Sequence, residues 1–91
     1  MVEQGRTVVR RTDLVARAVG GETFILDVQG TRLHRVSGVG VRIWELIERP
    51  VTPAEIVETL GAEFEVDKET AGKDYMAFLE QLEGLGLLQD G

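Results

Sequence analysis

Ser37 is the only serine and His34 the only histidine of this 91-residue chain, which has no cysteine. A hydroxyl beside an imidazole is the pairing that acyl transfer uses, provided the two groups are in hydrogen-bond reach and a third orients the base. Here the two stand three residues apart, on an apparent strand and at its exit. Ser37 directly precedes a helical pattern, where its hydroxyl is expected to act as an N-cap. A metal centre would need carboxylates gathered around the one imidazole, but the acids are spread over helix faces. Gly38-x-Gly40 lacks the third glycine of a dinucleotide-binding loop, and close helix packing explains it more simply. The absence of cysteine removes disulfides, thiol nucleophiles and thiolate metal sites. The chain is therefore expected to be no enzyme and to carry no cofactor or metal.

What remains is a surface that binds. "TRLHRV" (31–36) reads as the outer strand of a meander, so one row of its backbone N–H and C=O groups is unpaired. Its Arg32, His34 and Arg35 are either guards against edge-to-edge aggregation or part of a working edge that accepts an extended peptide as a further strand. On the third helix Ala71, Tyr75, Phe78 and Leu82 fall within about 60° and form the expected core stripe. The apolar surface continues along a flank through Gly72, Met76, Leu79 and Glu83. Either a small domain wraps this helix deeply, or the flank borders a groove. A mid-helix glycine costs about 1 kcal/mol relative to alanine, so Gly72 is expected to make room, and Met76 suits an adaptable apolar lining.

The elements that hold these residues follow from pattern and punctuation. "LVARAV" (14–19), "ETFILDV" (22–28) and 31–36 read as three strands, joined by Gly20-Gly21 and Gln29-Gly30 as two-residue hairpin turns. That register sets Val15, Leu26 and Leu33 opposite one another, with Phe24 and Val28 on the same face, and Asp27 across from Arg32. "TVVRR" (7–11) is either a further extended piece or part of an arm formed by residues 1–12. Three helices come next. The first, 38–48, is halted by Pro50, and the second is opened by the capping box Thr52-Pro53-Ala54-Glu55. The third runs 68–83, capped by Asp67 and ended by Gly84 and Gly86, and "LGLL" leaves a short apolar tail. The expected fold is α+β: a three-stranded antiparallel meander, then a three-helix winged helix-turn-helix bundle, as a single domain over 1–91.

Composition narrows the partners. Residues 1–52 hold eight arginines against six acids, and residues 53–91 hold ten acids against Lys68 and Lys73. An acidic C-terminal half repels phosphate backbones, so nucleic acid is not an expected partner. No segment reaches the roughly 18 apolar residues of a membrane span, and the start lacks the apolar run of a secretory signal. No membrane association and a cytoplasmic location are expected.

"FILDVQGTRLHRVSGVGVRIWELI" and "TPAEIVETLGAEFEVDKETAGKDYMAFLEQLEGLGLL" together resemble the PqqD-like family, peptide chaperones named after coenzyme PQQ (pyrroloquinoline quinone) biosynthesis. The same domain serves as the precursor-peptide recognition element of ribosomally synthesised, modified peptides (RiPPs). The likeness covers about residues 13–88 and rests on Leu26-Asp27, Gly40 with Ile43-Trp44-Glu45-Leu46, "TPAEI" and "AFLEQLEGLGLL". It implies that the leader segment of a precursor peptide pairs with the third strand and lies against the third helix. A modifying enzyme, such as a radical-SAM maturase or a leader protease and cyclase, would then receive it. Carried over by position, the peptide-binding residues are Thr31, Arg32, Leu33, His34, Arg35, Val36, Gly72, Met76, Leu79 and Glu83. The chain departs from the family in three ways. An aromatic pair common in this strand is replaced by Leu33-His34, the Leu-Asn that follows it before the first helix is replaced by Val36-Ser37, and the glycine of the preceding turn comes one position early. The rival expectations are a winged-helix DNA-binding protein and a structural subunit of a biosynthetic enzyme complex.

Overall fold

A computed structural model describes residues 7–29 and 31–90. The elements run β1 (Val8–Arg10), β2 (Val15–Val19), β3 (Glu22–Asp27), β4 (Arg32–Val36), α1 (Val39–Leu46), α2 (Pro53–Phe64), α3 (Lys68–Leu85) and β5 (Leu88–Asp90). Strands β2, β3 and β4 form an antiparallel meander in that spatial order, and the three helices follow it. The α+β, winged helix-turn-helix reading holds.

The turns set the register of the meander. Gly20 and Gly21 take positive φ values of 58° and 80°, which a two-residue hairpin turn matching the strand twist requires. Val15 stands opposite Leu26, Leu26 opposite Leu33, and Asp27 opposite Arg32, as expected. Thr31 sits in the second turn at φ 54° and donates its N–H to Val28 O at 3.3 Å, so β4 starts one residue later than expected. Gly30, assigned to this turn from the sequence, lies outside the described residues.

Alternation then separates the two faces. Thr23, Ile25, Asp27 and Val36 are buried toward the helices, whereas Val15, Leu26 and Leu33 are exposed on the outer face. Ile25 and Val36 join Ile43, Trp44, Ile56, Leu60, Tyr75 and Leu82 in one core. Strand β2 is exposed on both faces.

The stretch 7–11 is the extended piece rather than an arm. Within it β1 pairs antiparallel with β5, Val8 opposite Asp90 and Arg10 opposite Leu88, in a second small sheet. The tail is therefore structural, with Leu87 fully buried. Val8 and Val51 exchange backbone hydrogen bonds of 2.9 and 3.1 Å. Two arginines lock this corner. Arg10 donates to Trp44 O at 2.9 Å and lies 4.8 Å above the indole centroid. Arg11 donates to Asp13 at 2.6 Å, to buried Asp27 at 3.2 Å and to Gly86 O at 3.0 Å.

Ser37 does not cap α1. The N-cap is Gly38, at φ 63° and ψ −143°, with no side-chain cap bond. Only glycine readily adopts that conformation, so the chain enters the helix one residue past the serine. Gly40 is buried because a Cβ there would come within 2.8 Å of the Phe78 ring and 3.0 Å of Val36. The close-packing reading of this glycine holds. Helix α2 starts with the expected capping box, Glu55 N–H donating to the Thr52 hydroxyl and Thr52 N–H to the Glu55 carboxylate. Asp67 caps α3 by accepting from Thr70 N–H at 2.7 Å. That helix passes through Gly84 to Leu85 and stops at Gly86, whose φ of 74° makes the left-handed cap.

Candidate functional site

Strand β4 has β3 along one edge and, among the described residues, no strand along the other. The unpaired edge offers backbone donors and acceptors at the strand spacing. Alongside it, a cleft of about 160 Å³ opens between β4 and α3. Buried Val36, Leu82 and Leu87 form its floor, and half-buried Phe78 and exposed Gln81 and Leu85 form its helical wall. His34, Arg35 and Ser37 complete the strand side. The cleft is smaller than the roughly 300–1,000 Å³ typical of small-molecule pockets. It suits one side chain of a segment lying along the edge.

The expected residues divide between two places. Arg32 to Val36 are β4 itself, with Arg32, Leu33 and Arg35 exposed, His34 half-buried and Val36 buried. Thr31 precedes the strand in its turn. Arg35 Nε lies 3.5 Å from the Glu22 carboxylate on the neighbouring strand.

The expected flank of α3 does not face β4. Gly72 and Met76 line a separate cleft of about 390 Å³ with Pro53, Ala54 and Val57 of α2. Leu79 is fully buried in the core, and Glu83 is half-buried. Helix α3 lies between β4 and α2, and its two flanks meet different neighbours. Gly72 does leave space, since nothing lies within 4 Å of where its Cβ would be, but the space belongs to the α2 side. The residues that wall the β4 cleft are Phe78, Gln81 and Leu85. Phe78 is visible in the sequence as an apolar helical position, whereas Leu85 is hidden behind a glycine that looks like a helix end.

The outer face of the meander is unusually apolar. Val15, Val19, Leu26, Val28 and Leu33 are 41–66% exposed, and Arg17 and Arg35 stand on the same face. Contiguous apolar surface of this kind marks interaction sites in soluble proteins. Among the described residues, no helix is long and apolar enough to cross a membrane.

Comparison with known proteins agrees with this geometry. A solved structure, TbiB1 in complex with the TbiA(beta) leader peptide, matches with a TM-score of 0.80 and 32% sequence identity. The match covers 89% of this chain and 94% of that one. No curated protein matches. The family model described as coenzyme PQQ synthesis protein D (PqqD) matches residues 22–88, which include β3, β4, all three helices and both walls of the cleft. The chain belongs to the PqqD family.

Proposed function

We propose that this chain is a non-catalytic adaptor that captures the leader segment of a ribosomally made precursor peptide and presents it to a modifying enzyme. The observation that carries the reading is the free edge of β4 beside a cleft with an apolar floor and a wall from α3. An extended peptide added there gains main-chain hydrogen bonds for affinity, and the cleft accepts its inward-pointing side chains for selectivity. Family membership supports the reading, as does the likeness to TbiB1, which was solved with a leader peptide. The peptide-contacting set is the backbone of Arg32 to Val36 with Phe78, Gln81 and Leu85. It replaces the Gly72–Met76–Leu79–Glu83 flank.

Delivery needs a second surface, and the outer face of the meander supplies one. Its apolar rows with Arg17 and Arg35 fit a protein partner with an apolar patch and acidic rim, such as a radical-SAM maturase or a leader protease acting with a cyclase. Titration of the ¹⁵N-labelled chain with synthetic leader peptides tests the first half. Amide shifts concentrated on β4 and residues 78–85 are expected. Shifts confined to the α2–α3 cleft or to β1–β5 would refute it.

A further inference from the structure

His34 is the one residue of the β4 cleft whose chemistry is left unfinished. Its Nε2 is buried and has no hydrogen-bond partner among the described residues. It stands on β4 opposite Ile25, so it shares the inward face with the buried core residues and lines the cleft floored by Val36, Leu82 and Leu87. A buried ring nitrogen without a partner forfeits the hydrogen bond that water would give it, and neither Ser37 nor Gln81, which line the same cleft, is bonded to it.

A strand added to the free edge of β4 places one of its residues directly opposite His34. The side chain of that residue points to the same face, into the cleft, with Cβ atoms about 5 Å apart. A neutral imidazole nitrogen is either a donor or an acceptor, depending on the tautomer. A hydroxyl, which both donates and accepts, satisfies either form, and an amide offers both groups on separate atoms. The floor of Val36, Leu82 and Leu87 suits an apolar stem.

Resting on the proposed function above, we propose that His34 is a specificity-determining residue. It selects, at the peptide position opposite itself, a side chain with an apolar stem and a hydroxyl or amide tip. An apolar residue at that position leaves Nε2 unsatisfied and is rejected by about tenfold in affinity, the worth of one buried hydrogen bond.

The test selects a display library of short random peptides against the full chain and against His34→Phe, with thermal melts confirming that both are folded. Peptides from each pool are synthesised, mapped by amide shifts and measured for affinity. The expected result is a hydroxyl or amide residue at one register position of the wild-type pool and an apolar residue there in the His34→Phe pool. The ring ¹⁵N resonance of His34 should move only with the polar peptides. Identical preferences in the two pools, with binding still on β4, would overturn the role of His34 while leaving the peptide reading intact. Enriched peptides that leave β4 and α3 unperturbed would overturn both.

Discussion

Thr31 is a β-branched residue held at φ 54°, in the region that favours glycine. Gly30 stands one position before the place that needs it, which gives the early glycine seen in the sequence a physical cost. Thr31→Gly should remove about 1 kcal/mol of strain and raise the melting temperature by roughly 4–8 °C, read by calorimetry. Gly40 is the opposite case. Its missing Cβ lets α1 approach Phe78 and Val36, so Gly40→Ala should destabilise by about 1–3 kcal/mol in denaturant titration. Because both displaced residues line the β4 cleft, the same variant should also weaken peptide binding. Charge adds a pH dependence. Hydrogen bonds from Arg11 hold the Asp13 carboxyl below its usual range, and those from Thr70 do the same for Asp67. A depressed folded-state value stabilises the fold above the unfolded value, about 4, and that contribution disappears as pH falls through the folded one. Denaturation midpoints should therefore be insensitive to these two groups between pH 7 and 5 and fall below about pH 4. Asp67→Asn, which keeps a capping oxygen, should flatten part of that acid slope.

At the level of elements, α3 is the piece that distinguishes a correct fold from a correct site. Phe78→Ala and Leu85→Ala should each weaken leader binding by about tenfold, measured by calorimetric titration. Met76→Ala on the α2 side should leave it within about twofold. The reverse ranking would return the site to the flank expected from the sequence. The strands, their register and the capped helix starts were legible because each has a local cause: paired glycines, alternation, and the Thr52 and Asp67 caps. The cleft-facing side of α3 was not legible, since a 3.6-residue period gives the width of an apolar arc without saying which neighbour meets each flank. Leu85 was obscured because Gly84 resembles a stop. Ser37 was misread as a cap because serine favours that role, whereas the positive φ of Gly38 decides where α1 begins. The pairing of β1 with β5 joins distant parts of the chain, and no local pattern announces it.

Across the whole molecule, the fold closes where β1 meets β5 and Leu87 fills the core between them. Leu87→Ala should cost about 2–5 kcal/mol, and because Leu87 also floors the β4 cleft, its loss should be felt by a bound peptide. The outer face carries the complementary prediction. Leu33, 66% exposed, makes no contribution to the buried core, so Leu33→Glu should leave stability within about 0.5 kcal/mol and leader affinity nearly unchanged. Pull-down of the modifying enzyme by the loaded adaptor should drop sharply. Strand β4 thus has two audiences, His34 and Val36 looking inward and Leu33 and Arg35 looking outward. A guest ribbon laid beside it inherits the same alternation. On the proposed function, every second letter of a leader would be read by the carrier and the intervening letters would lie open to an enzyme, two messages interleaved on one short text. Scrambling one set should abolish capture, and scrambling the other should yield a cargo that is held but never processed.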